Sequence, residues 1–164
     1  MNMFLVRGKY MIADEKIMSF AARYVAAFNL FLACPFVEDY KTVEAEPASF
    51  ESYRLVHTNA YVDILEKVSR EGKIFQMISP DAVEFEQVGV GGTLTAAHYA
   101  LSKCCFAYHL GGGYHHGMPD KPHSIDYCND VAIAIEYLLR TGVKKILYID
   151  LDAHHPDGVQ KIFK

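Results

Sequence analysis

Cysteine is scarce in this chain and carries no pattern: Cys34, Cys104, Cys105 and Cys128 contain no CxxC pair and no disulfide-framework spacing. Cys104 and Cys105 lie in an apolar run and read as core thiols of a reducing compartment. No apolar run approaches the length of about 18 residues that a membrane span needs, and no basic leader with a cleavage site opens the sequence. The expectation is a soluble, cytoplasmic protein without a membrane partner. A basic excess is missing too, and a net charge of -4 argues against general nucleic-acid binding. Gly91-Gly92 is followed by no Gly-Lys-Ser/Thr signature, so it is not a phosphate loop. There is no internal repeat, low-complexity tract or Ser/Gly linker to mark a second domain.

What is present is a globular composition, 51% hydrophobic and 22% charged over 164 residues, enough for one substantial core. The hydrophobic patterning alternates between strand and helix. Met3 to Val6 is a short strand, and Ile17, Phe20, Ala21, Tyr24, Val25 and Phe28 recur at helical spacing within 15–30. Cys34-Pro35 breaks that helix, and Tyr40 to Pro47 is a connection carrying an extended piece. Helices are predicted at 50–56, at 60–70 before Gly72, at 93–102 after Gly91-Gly92, and at 129–139 before Gly142. Apolar runs at 104–110 and 143–149 complete a βαβ unit around the last of these. The fold class is therefore α/β with a mainly parallel sheet.

The most informative stretch is Asp150-Leu151-Asp152-Ala153-His154-His155-Pro156-Asp157, at the end of the predicted strand 143–149. In an extended backbone Asp150, Asp152 and His154 project one way, while Leu151 and Ala153 face the packing. Carboxylate oxygens and an imidazole nitrogen suit Zn²⁺ with a position left for water or substrate. The plainer alternative is a strand end with solvated acids and a capping aspartate. A second cluster, Gly111-Gly112-Gly113-Tyr114-His115-His116, follows the run 104–110. Its glycines permit a tight turn, and tandem histidines suit proton handling once Asp150 and Asp157 can orient the rings. A histidine pair in a loop is otherwise surface or structural.

These blocks, GGGYHH, then NDVAIAIEYL, then ILYIDLDAHHPDGVQ, resemble the zinc-dependent histone deacetylase family, including its acetoin-utilisation and acetylpolyamine relatives. The match is nearly continuous from Val88 to Phe163, with a weaker His-Thr-x-x-Tyr segment at His57 to Tyr61. The resemblance implies a three-layer α/β/α, arginase/deacetylase-like fold. Residues 1–164 correspond to the N-terminal portion of a single domain. It also implies Asp152 and His154 as zinc ligands, His115 paired with Asp150, His116 paired with Asp157, and substrate contacts from Gly113, Tyr114 and Ile125. A potassium ion beneath the zinc, held by oxygens of 150–154, is a weaker implication. The substrate would be acetyl-lysine or another acylated amine. His57 is expected to be structural.

Departures accompany the match. The family's third zinc ligand and its transition-state tyrosine are not found within 1–164, so this chain alone is expected to bind zinc poorly and catalyse little. Ile125 stands where an aromatic usually walls the acyl-lysine tunnel. Asp126 stands where a small cysteine is usual, and a buried carboxylate there needs a partner or a raised pKa. Pro156 removes a backbone donor and also counts against a binuclear manganese ureohydrolase, whose pattern requires aspartate at that place. A non-catalytic remnant or partner-binding fragment is the other alternative. An incomplete sheet would leave an uncovered edge for a complementing chain or for self-association.

Overall fold

Three parallel strands organise the computed structural model, which describes residues 3–8, 18–34, 40–75 and 78–164. Strand β1 (Met3–Gly8) is central, flanked by β2 (Tyr40–Ala45) and β3 (Phe106–His109) in the order β2-β1-β3. The extended piece expected in 40–47 is thus a full strand, paired from Met3↔Tyr40 to Gly8↔Ala45. Leu5 and Val6 are fully buried at the centre.

Helices lie on both faces. Helix α1 spans Met18–Leu32, α2 Phe50–Tyr53, α3 Asn59–Glu71, α4 Pro80–Lys103, α5 Asp130–Arg140 and α6 Asp157–Ile162. Phe4 packs its ring 4.7 Å from that of Tyr99 on α4. Phe28 of α1 lies under the Arg7 guanidinium at 5.6 Å, and Phe31 of α1 meets the rings of Tyr40 and Tyr108. Positions of opposite parity on a strand face opposite ways, so α4 covers one face and α1 the other. This is the expected three-layer α/β/α arrangement. Beyond α4, a core of Tyr53, Val62, Leu65, Val83, Val90 and Ile133 joins α2, α3, α4 and α5. Residues 15–17 of the first predicted helix, and Pro35, lie outside the described residues. Among the described residues no helix is long and apolar enough to cross a membrane.

Two sequence expectations are corrected. The helix predicted at 93–102 begins at Pro80, where Ser79 accepts a hydrogen bond from the Ala82 amide, and it runs straight through Gly91 and Gly92. Glycine weakens a helix by about 1 kcal/mol relative to alanine. Here it is required, because a Cβ on Gly91 would sit 2.0 Å from the Glu46 carbonyl oxygen, and one on Gly92 would sit 2.1 Å from the His109 ring. Close helix–sheet approach overrides local propensity.

The second correction concerns 143–149. This apolar segment has no ladder partner among the described residues, so the βαβ unit around α5 is not closed. Leu147 is 84% exposed and Ile149 67% exposed. A strand exists through its neighbour's backbone groups, and β-branched composition cannot replace them.

Candidate active site

The histidine loop leaves β3 and is shaped from the start of α5. Gly112 and Gly113 adopt φ of +76° and +85°. These are left-handed values that glycine reaches without steric cost. Asp130, the first residue of α5, is fully buried; its carboxylate accepts the amides of Gly113 at 3.0 Å and Tyr114 at 2.7 Å, and the Thr93 hydroxyl. Burial pushes the Asp130 carboxyl up, while these donors favour its charged form. Asn129 caps α5 by accepting the Ala132 amide at 2.9 Å, and its side-chain nitrogen donates to the carbonyls of His115 and Gly117. The Asn129 amide donates to His57 Nε2 at 3.0 Å, and His57 Nδ1 lies 2.8 Å from the Met118 carbonyl. His57 therefore carries its proton on Nδ1. Burial lowers its pKa to about 4, consistent with a structural role.

Each tandem histidine meets its own aspartate. His115 Nδ1 lies 2.8 Å from Asp150 Oδ2, and His116 Nδ1 lies 2.6 Å from Asp157 Oδ1. The two imidazole centroids are 4.3 Å apart. Burial pushes the Asp150 carboxyl up, but hydrogen bonds from Tyr148, His115 and the Asp152 amide outweigh it and hold the group below its ordinary value. Asp157 is likewise pushed up by burial and held low overall by His116, His123 and the Gly158 amide. A carboxylate kept ionised against one ring nitrogen fixes the tautomer and leaves the other nitrogen free to exchange a proton.

Asp152 and His154 lie beside this pair, with His154 and His116 rings 5.9 Å apart. Both are exposed, and His154 Nδ1 is 2.9 Å from Asp152 Oδ1. Hydrogen bonds from the His154 amide and ring hold the Asp152 carboxyl low. Two donors at about 2.0–2.1 Å from one tetrahedral Zn²⁺ would stand roughly 3.3 Å apart, so this convergent pair fits two corners of a site. Among the described residues a different trio, His116, His123 and Asp157, has donor atoms within 4.8 Å of one another. In that trio His123 Nε2 lies 2.9 Å from Asp157 Oδ2.

The remaining predicted residues are dispersed. Gly113 binds Asp130 through its amide; Tyr114 is a core residue, 8% exposed, whose ring packs against Gly89 of α4. Ile125 is 64% exposed at the tip of a turn. Asp126 has the partner a buried carboxylate needs: it is 5% exposed and its Oδ2 accepts the His116 amide at 2.9 Å. Burial nonetheless pushes that carboxyl up to about 6. Sequence reasoning missed Asp130 and Asn129 as loop anchors, although an Asn-Asp pair opening an amphipathic helix is a capping signal. It also missed Glu86, a buried carboxyl pushed up to about 8 by desolvation that accepts the amides of Tyr127 and Cys128. No local pattern marks a glutamate in mid-helix for that task.

The fold is a three-layer α/β arrangement in which two histidine–aspartate pairs stand beside Asp152 and His154. The histone deacetylase domain model matches residues 18–164, and the chain belongs to that family. It is 34% identical over 154 residues to the acetoin utilization protein AcuC of Bacillus subtilis, covering 86% of this chain and 40% of that protein. It is 37% identical over 134 residues to a probable deacetylase of Archaeoglobus fulgidus, covering 77% of this chain and 37% of the relative. With histone deacetylase 8 of Danio rerio it shares 28% identity over 173 residues, covering 98% of this chain and 46% of the relative. The chain thus spans less than half the length of these curated relatives.

Proposed function

We propose that this chain carries the histidine half and two metal ligands of a zinc-dependent deacetylase-type amidohydrolase, acting on acetyl-lysine or a related acylated amine. The observation that carries the reading is the side-by-side pairing of His115 with Asp150 and His116 with Asp157, next to Asp152 and His154. Asp152 and His154 would hold Zn²⁺, which when bound polarises an amide carbonyl and acidifies water. Asp157 holds the His116 ring with Nδ1 bonded, so that Nε2 can take the proton of the attacking water. Asp150 holds His115 in the same way, and a protonated imidazole of the pair returns a proton to the departing amine. A cytoplasmic setting belongs to the same reading, supported by the free thiols of Cys34, Cys104, Cys105 and Cys128.

A second reading, a partner-binding fragment, is favoured by one observation. Phe106 and Tyr108 on β3, together with Leu147, Ile149 and Leu151, expose apolar side chains. Zinc titration of the chain tests the second reading: tight stoichiometric uptake removes it, whereas weak uptake is what a two-ligand pair gives on either reading. In an active form, assayed by amine release from an acetyl-lysine peptide, His116→Ala should cut turnover by about 10²–10⁴-fold with zinc retained. Loss of zinc on that substitution would make His116 a ligand and overturn the assignment.

A further inference from the structure

His123 has no part in the pairing that the sequence suggested, yet it closes the far side of the Asp157 carboxylate. Asp157 Oδ1 is bonded to His116 Nδ1 at 2.6 Å and to the Gly158 amide at 3.0 Å, while Oδ2 meets His123 Nε2 at 2.9 Å. Both oxygens therefore have partners, and rotating the carboxylate would break the two hydrogen bonds on Oδ1 and the close contact on Oδ2. The Asp157 side chain is 34% exposed. Without His123 its outer oxygen would face solvent and its rotation would be restrained mainly from the His116 side.

The residue that supplies this contact belongs to a tight turn. The amide of His123 donates to the Asp126 carbonyl and the amide of Asp126 donates to the His123 carbonyl, each at 3.0 Å, with Ser124 in the left-handed region at φ +55°. Serine tolerates that conformation less readily than glycine, so the turn is held by its two cross-bonds. The same turn sends Asp126 inward to accept the His116 backbone amide at 2.9 Å. One four-residue turn thus grips His116 twice, at its backbone through Asp126 and at its ring through His123 and Asp157.

We propose that His123 is a positioning residue for the Asp157–His116 pair, and that the turn 123–126 is the device that aims His116. The proposal rests on the reading of His116 as the proton-accepting histidine only for its catalytic consequence; the structural claim stands apart from it. His116 is held as the Nδ1–H tautomer because Asp157 is clamped from both sides, with the His123 ring nitrogen in ion-pair contact with the outer oxygen.

The test is long-range ¹H–¹⁵N correlation of the histidine rings in the full 164-residue chain. The wild type should show His116 as a single Nδ1–H tautomer. His123→Ala should give an averaged tautomer with backbone amide dispersion unchanged, and His123→Gln, which retains an N–H donor at similar reach, should restore the single form. A single tautomer in His123→Ala overturns the proposal, as does a failure of His123→Gln to restore it. In an active form kcat should fall roughly tenfold in His123→Ala at unchanged KM, the low end of the scale for an outer hydrogen-bond partner. If no turnover is found in any form, the deacetylase reading fails while the tautomer result still decides the role of His123.

Discussion

The Asp130 carboxylate and the Tyr114 amide meet at 2.7 Å in a fully buried setting, and this bond, more than any strand, places the tandem histidines. Asp130→Ala would strand that amide and the Gly113 amide, and would leave the Thr93 hydroxyl only its contact with His109 Nδ1 at 3.1 Å. An unsatisfied buried donor costs about 1–3 kcal/mol, so the substitution should destabilise the chain by roughly 3 kcal/mol or more. Asp130→Asn, which keeps one acceptor, should cost less. Urea denaturation followed by circular dichroism measures both, and equal losses would show that the acceptor set does not hold the loop.

Glycine substitutions should separate packing from backbone freedom. Gly91→Ala drives a methyl to 2.0 Å from the Glu46 carbonyl oxygen, a backbone atom that cannot step aside. The helix-propensity gain of about 1 kcal/mol is then outweighed by an overpacking cost of typically 1–3 kcal/mol or more. Gly72→Ala meets nothing within 4 Å, and its penalty comes only from φ +64°, about 1–2 kcal/mol. A thermal melt showing Gly91→Ala more stable than wild type would refute the close approach of α4 to β2.

His57 sets a pH dependence with a defined sign. Its pKa falls from 6.5 in the unfolded chain to about 4 in the folded one, because burial disfavours the charged ring. Between those values the unfolded state binds the proton and the folded state does not. The contribution is therefore complete above pH 6.5, shrinks as pH falls, and is gone below the folded value. It amounts to at most roughly 3 kcal/mol. Titration of the His57 ring by NMR should show it neutral at pH 5.5, and a protonated ring there would contradict its buried bond to the Asn129 amide.

The apolar run 143–149 should be energetically silent in the isolated chain. Leu147→Lys, at a position 84% exposed, should change stability by no more than about 0.5 kcal/mol and reduce self-association in sedimentation. Leu65→Ala, at 1% exposure in the core, should cost about 2–5 kcal/mol. A loss at Leu147 as large as that at Leu65 would mean the segment is covered.

Much of the site was readable because its chemistry is local. His115-His116 and Asp150 to Asp157 are contiguous motifs; which histidine meets which aspartate was implied by the family resemblance, and the bonds are 2.8 and 2.6 Å. The roles attached to those bonds remain proposals. Helix α5 was readable from its cap and spacing. Helix α4 was misjudged at its start because glycine's local cost is visible in sequence while the Glu46 and His109 contacts that demand it are long-range. The strand at 143–149 was misjudged for the converse reason: strand composition is local, but a ladder needs a second backbone. Asp126 was recognised as a problem, and its solution lay ten residues back in the His116 amide.

Asn129 and Asp130 are adjacent, yet together they bind the carbonyls of His115 and Gly117 and the amides of Gly113 and Tyr114. The first turn of α5 and the histidine loop consequently form one cooperative unit. Opening the loop frays the helix, and fraying the helix releases the loop. Hydrogen exchange should therefore report the same opening free energy at Tyr114 as at Ile133, whose amide bonds to the Asn129 carbonyl. The arrangement of the imidazoles lasts as long as that helix does.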